Sequence, residues 1–433
     1  MNKPEFVISS PFDTYSGYGA RARDLIKAII KLDKYNVKLI PQMWGNTAWG
    51  FCDDHPEWKY LLKHKIDGLQ QGQKPQIWMQ VTIPSEFSPV GEYNIGATAG
   101  IESTQCDPSW IEGLNRMDMN WVSSKHAKQV FESNRFEQRN QHNNVLVKTI
   151  FNQKPIHVVF EGADIDTYKH LPKVDFDLSS VKESFNYLFV GHWMQGEIGH
   201  DRKNVALMIK EFYETFKGKK NAPGLILKCS IGKDSYMSED AVLNKINKIK
   251  KTINSDNLPN VYLITGELSN SQLNELYNHP KVKAMISLTK GEGFGRPLLE
   301  FSLSKKPIIC SGWSGQLDFL NPAYTALIPG ELEKVHKSAA NNWLKEEAQW
   351  FKPSLSHAKK FMKEFYTNYK KWAVKGKQQG HYVKTTFTLD KMGELINNIL
   401  THNLPQFESK PQQAQFTMPE NINTQAVNLP KIN

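Results

Sequence analysis

The chain has 433 residues, of which 39% are hydrophobic, 23% charged and 11% aromatic, an ordinary globular balance that excludes wholesale disorder. Mean hydropathy is −0.52, and no run of about 18 apolar residues occurs, which excludes a helical membrane span. The net charge of +10 is uneven: residues 1–175 hold 20 Lys and Arg against 20 Asp and Glu, whereas 176–433 hold 34 against 24, a basic half suited to an anionic ligand such as a phosphate group, a nucleic acid or an acidic lipid surface.

Met1–Glu5 leads directly into Phe6–Ser10 without the apolar core of a signal peptide, so a cytoplasmic protein is expected. Phe6–Ser9 reads as a strand and Ala20–Leu32 as a helix with apolar residues at 25, 26, 29, 30 and 32. Strands at Asn36–Ile40, Gln76–Gln80, Tyr93–Ala97, Met119–Ser123 and His157–Phe160 follow, with helices at Trp110–Arg116 and Lys125–Glu132. The alternation predicts a largely parallel sheet covered by helices on both faces. Gly162–Glu183, rich in Asp, Ser and Pro, reads as a hinge. The pattern then restarts with strands at Tyr187–Gly191, Leu225–Ile231, Val261–Ile264, Ala284–Leu288 and Pro307–Cys310. Helices at Asn204–Phe216, Glu239–Ile253, Ser271–Tyr277 and Pro297–Ser304 separate them. Ser356–Lys377 reads as one helix, with Phe361, Phe365, Tyr369 and Trp372 on one face and Lys359, Lys363, Lys370 and Lys377 on the other. That lysine face is either simply solvated or a surface for an anionic acceptor. From Pro405 the chain is rich in Gln, Asn and Pro and is expected to be disordered. The four cysteines are widely spaced and form no CxxC pair, so neither a zinc site nor a disulfide framework is expected.

The stretch from Ala284 to Glu300 concentrates the chemistry. A strand enters a loop containing Gly291, Gly293 and Gly295, and the following helix carries Pro297 in its first turn. Such a loop lets a ligand approach the backbone closely, and the helix start offers N–H groups to phosphate or sugar oxygens. Glu300, about one turn into the helix, and Glu292, on the loop, are carboxylates able to accept hydroxyl hydrogen bonds. The plainer reading is a tight β–α turn with two surface glutamates.

Glu292-Gly-Phe-Gly-Arg-Pro-Leu-Leu-Glu300 resembles the E-x7-E signature of family 4 retaining glycosyltransferases. Three further segments are similar in the right order. These are Ser16-Gly-Tyr-Gly-Ala-Arg21, placed between the first strand and first helix; Phe160-Glu-Gly-Ala-Asp-Ile-Asp-Thr-Tyr168; and Phe189-Val-Gly191 followed by Arg202-Lys203-Asn204. The resemblance spans roughly residues 5–400. It implies an α/β GT-B fold of two Rossmann-like domains facing a cleft: 1–175 on the acceptor side and 176–380 binding the nucleotide-sugar. A helix within 381–404 would return to the first domain, and a tail over 405–433 would follow.

By the same resemblance, Glu300 holds the ribose hydroxyls of a nucleotide-diphosphate sugar. Glu292, with the backbone of Gly293, Phe294 and Gly295, orients the transferred sugar. Arg202 and Lys203 contact the diphosphate, and Gly17 and Gly19 approach the sugar-phosphate. His192 stands where many members have a basic residue, before an insertion-like Trp193–Asp201; Glu102 stands where many have a histidine. The implied reaction moves a hexose to a saccharide, lipid or other hydroxyl acceptor with retention, with neither a metal nor a further cofactor. Two rivals are a transferase acting on modified DNA bases and a non-catalytic binding protein. Asp164-Ile-Asp166 matches a metal-binding D-x-D string, but its place suggests a surface turn. His192, His200 and Asp201 lack recognised ligand spacing.

Overall fold

The computed structural model describes residues 3–232 and 236–407. Most of the segment expected to be disordered, from residue 408 on, lies outside the described residues. The first part of the chain supplies β1 (Glu5–Ser10), β2 (Asn36–Pro41), β3 (Ile77–Val81), β4 (Tyr93–Thr98) and β5 (Met119–Val122). A hairpin, β6 (Arg135–Arg139) and β7 (Leu146–Phe151), precedes β8 (Ile156–Val158). Six of these strands form a parallel sheet in the order β2-β1-β3-β4-β5-β8. Every residue of β3 (IWMQV) is buried, as expected of a central strand with helices on both faces. Side chains of β1 alternate through the sheet: Phe6 and Ile8 enter one apolar cluster and Val7 the other.

The second sheet repeats the plan. Its strands are β9 (Asn186–His192), β10 (Gly224–Ser230), β11 (Val261–Ile264), β12 (Val282–Ser287), β13 (Ile308–Ser311) and β14 (Ala326–Ile328), in the order β11-β10-β9-β12-β13-β14. All its pairings are parallel. An antiparallel hairpin, β15 (Gly330–Lys334) with β16 (Gln349–Pro353), is added beside it. Neither hairpin was expected from the sequence. Both are short, and β6, β7 and β15 are mostly exposed or half-buried, so they lack the apolar runs that mark the central strands.

The chain crosses between domains twice, and the crossings lie side by side. Ala163 N–H donates to Phe387 O (2.8 Å), and Leu389 N–H donates to Ala163 O (3.1 Å). A Cβ on Gly162 would lie 2.7 Å from the Leu389 backbone, so glycine permits this contact. The Gly162–Glu183 segment, expected as a hinge, instead packs on the second domain. Tyr168, Leu178 and Val181 are buried in that core, and Lys281 Nζ donates to the carbonyls of Leu178 and Val181. The final helix, Leu389–Asn403, returns to the first domain, where Met392, Ile396, Ile399 and Leu400 join Leu25, Ile26 and Ile29 in one cluster.

The expected helices shift by up to a few residues at their ends, and two of the differences have an identifiable cause or consequence. The first runs Gly17–Lys31 rather than from Ala20, because the Ser16 hydroxyl caps it by accepting the Gly19 N–H (2.8 Å). Gly17 and Gly19 therefore belong to its first turn rather than to a preceding loop. The Ser356–Lys377 helix is two helices, Leu355–Thr367 and Tyr369–Thr386, broken at Asn368 (φ −121°, ψ 41°). Phe361 and Phe365 still meet Trp372 across the break, at 5.9 and 4.4 Å between rings. Lys359 pairs with Glu211 at 2.8 Å, while Lys363, Lys370 and Lys377 are exposed. No helix among the described residues is long and apolar enough to cross a membrane.

Candidate active site

The loops at the C-terminal ends of β4 and β12 meet between the two sheets. A Cβ on Gly291 would lie 1.9 Å from the Glu102 carbonyl oxygen, and one on Gly293 would lie 2.8 Å from the Ala99 carbonyl oxygen. The glycines expected to admit a ligand thus serve, in this structure, a close approach of two protein backbones across the cleft.

Four of the expected site residues form one ion cluster there. Lys203 Nζ lies 2.7 Å from both carboxylate oxygens of Glu292. The Arg202 guanidinium donates to Gly291 O (2.9 Å) and lies 3.5 Å from Glu292 and 3.6 Å from Glu102. Burial alone would raise the Glu292 carboxyl, but Lys203 and Arg202 outweigh it and hold the group below the usual carboxylate range. The Glu292 backbone is fixed as well: its N–H donates to Ser314 Oγ (2.9 Å), and its carbonyl accepts the Gly315 N–H (3.0 Å). Ser314 holds this position at φ +78°, a left-handed conformation unusual for a residue with a side chain.

Glu300 faces a second set of partners. It is buried on the short helix Arg296–Ser302 and accepts Arg296 Nε–H at 2.8 Å. The same guanidinium reaches across the cleft to Asp24, at 2.5 Å, on the first helix of the other domain. Burial pushes the Glu300 carboxyl up, against the pull of Arg296. Arg296 and Asp24 were missed from the sequence. Arg296 was visible inside the glycine motif, four residues before Glu300; Asp24 carried no signal, since only the fold brings the first helix to the second domain.

The remaining expected residues are placed differently. Phe294 turns its ring into the second domain's core, 5.0 Å from Phe319, leaving only its backbone on the cleft side. Gly17 is exposed with open space around it, whereas Gly19 is required by packing, since a Cβ there would lie 2.5 Å from Thr14 O. His192 ends β9 with an exposed ring whose Nδ1 bonds to Ser230 Oγ (3.0 Å) on neighbouring β10. In the following loop, His200 stacks on His336 at 4.0 Å, and buried Asp201 accepts the Val205 N–H (3.1 Å) at a helix start. Asp164 accepts the Asp166 N–H at 3.1 Å within a turn, and Asp166 is exposed. A small cavity against β9 and β12 is lined by Lys203, Glu292, Gly295 and Pro297.

No protein-family model matches the chain, and no curated protein matches it. Solved structures do. HepE of Anabaena, in complex with UDP and glucose, aligns over 92% of this chain and 100% of its own at 13% identity and a TM-score of 0.60. A glycosyltransferase from Rickettsia africae ESF-5 aligns over 93% and 99% at 14% identity and 0.60. The sucrose-phosphate synthase of Thermosynechococcus elongatus aligns over 93% and 99% at 11% identity and 0.58. Two parallel α/β domains opposed across a cleft, shared over the full length of these proteins, define a GT-B fold. Its interdomain cleft carries the cluster of Glu292, Arg202, Lys203 and Glu102.

Proposed function

We propose that the protein is a glycosyltransferase that moves a hexosyl group from a nucleotide-diphosphate sugar, with UDP as the nucleotide, to a hydroxyl acceptor, with retention and without a metal ion. One observation carries the reading: adjacent cations, Arg202 and Lys203, are gathered on Glu292 in an interdomain cleft, with Glu300 about one turn into the helix that follows. The fold shared with HepE, which binds UDP and glucose, supports it.

In this reading the diphosphate takes over the hydrogen bonds that Lys203 now gives to Glu292 and the ion pairing of Arg202 with the same carboxylate. The sugar C1–O(phosphate) bond breaks while the acceptor oxygen bonds to C1, and the acceptor proton passes to the leaving phosphate oxygen. Negative charge grows on that phosphate, and fixed cations stabilise it most in the transition state. Glu292, released from Lys203, and the Gly293–Gly295 backbone orient the sugar; Glu102 keeps Arg202 in place. Glu300 accepts the ribose hydroxyls after sharing Arg296 with Asp24. His192, exposed at the end of β9, would add a further phosphate contact.

Two measurements test this. Calorimetric titration with UDP should show binding, weakened about tenfold or more by Glu300→Gln, since a hydrogen bond to a charged group contributes roughly 1.5–3 kcal/mol. Hydrolysis of UDP-glucose in excess EDTA needs no acceptor, and Arg202→Ala with Lys203→Ala should lower its turnover more than its affinity. UDP affinity indifferent to Glu300, or turnover abolished by the chelator and restored by manganese, would overturn the assignment.

A further inference from the structure

The loop after β2 carries an uncharged aromatic surface beside the cleft. Residues 41–52 (PQMWGNTAWGFC) contain no Lys, Arg, Asp or Glu in a chain that is 23% charged. Met43 is 65% exposed and Trp49 39% exposed, while Trp44 is half-buried and stacks on Tyr18 at 3.8 Å between ring centres. Large apolar side chains exposed this close together on a surface mark a binding site rather than ordinary scatter.

The loop is held in place. Gln42 N–H donates to Ser10 O (2.9 Å), Tyr15 N–H to Ala48 O (3.2 Å) and Cys52 N–H to Asp13 Oδ1 (2.8 Å). Thr14 and Trp49 form an antiparallel bridge. The surface is also continuous with the cleft. Tyr18, beneath Trp44, bonds through its hydroxyl to Thr98 Oγ1 (2.8 Å) and accepts the Ala99 N–H (3.3 Å). Ala99 is the residue whose carbonyl faces Gly293. One chain of contacts therefore runs from Trp44 to the loop that carries Glu292.

We infer that Met43, Trp44 and Trp49 form an acceptor platform and that its occupant is a neutral saccharide, one ring lying against the indoles with a hydroxyl directed to the cleft. The inference rests on the transferase reading above and names its acceptor. Charge decides among occupants. A nucleic acid binds mainly through cations that neutralise its phosphates, and this loop has none. An indole offers the C–H face of a sugar ring a flat apolar partner, and the neutral amides of Gln42 and Asn46 flank it in sequence as hydroxyl partners.

The test is an array of neutral and acidic oligosaccharides with duplex DNA alongside, probed with wild type, Trp44→Ala, Trp44→Phe and Trp49→Ala, and with UDP calorimetry on the wild type as a separate arm. We expect binding to a neutral oligosaccharide, weakened about tenfold by either alanine variant and largely kept by Trp44→Phe, whose ring preserves the stack. No glycan binding, binding confined to acidic glycans or DNA, or binding indifferent to both tryptophans overturns the platform. Saccharide binding that depends on Trp44 without any UDP binding would overturn the transferase reading and leave the platform standing.

Discussion

Asp201, immediately before the two cations, is completely buried; its Oδ1 accepts a helix-start N–H, and its Oδ2 has no hydrogen-bond partner. Burial pushes its carboxyl from 3.8 up to about 6, although the N–H groups of Val205 and Ala206 pull the other way. A carboxyl raised on folding stabilises the native state fully below its unfolded value, and that contribution is lost as the pH rises through about 6. Asp201→Asn removes the titration, so its stability relative to wild type should rise between pH 4 and pH 7, by about 2–3 kcal/mol. Denaturant unfolding at both values measures this; a difference independent of pH would show that Asp201 is not held protonated by its site. The Glu292–Glu300 spacing was legible because its chemistry is local to one loop and one helix. Asp24 was not, because its partner Arg296 lies 272 residues away and only the domain arrangement joins them.

The Gly291–Gly295 loop and the two hairpins act at the scale of elements. Since a Cβ on Gly291 would collide with the Glu102 carbonyl, Gly291→Ala must move the two domain loops apart. Small-angle scattering should then report a larger radius of gyration, and donor hydrolysis should fall at least about tenfold, because displacement of catalytic groups by about 1 Å can cost a hundredfold. An unchanged radius and rate would mean that the loops do not meet in solution. The β15–β16 hairpin adds a second tie: Thr104 N–H donates to Gln349 O (2.8 Å), Gln349 N–H donates to Thr104 Oγ1 (2.9 Å), and Lys345 pairs with Asp107 at 2.9 Å. Central strands were readable because burial on both faces leaves a continuous apolar run, as in β3. These hairpins were not, since β6, β7 and β15 are exposed or half-buried along their length and carry no apolar run.

At the scale of the molecule, two domains share one chain end. The final helix covers the stripe formed by Leu25, Ile26 and Ile29, and burying Met392, Ile396, Ile399 and Leu400 contributes about 6–12 kcal/mol as an upper estimate. That is comparable with the whole stability of a domain. A chain ending after Phe387 should therefore lose amide protection throughout β1–β5 while keeping it in β9–β14, as hydrogen exchange would show. Equal protection in both sheets would mean that the first domain stands without this helix.

The paired crossings at Ala163 and Thr388 also bear on how the protein is made. Strand β8 has left the ribosome about 240 residues before the helix that completes its domain. At roughly 5–20 residues per second, the first sheet waits on the order of 10–50 s with one apolar flank uncovered. The second sheet has no such delay, for its own helices follow its strands directly. The domain translated first is thus the one finished last, with an apolar flank left in water until the chain is nearly complete.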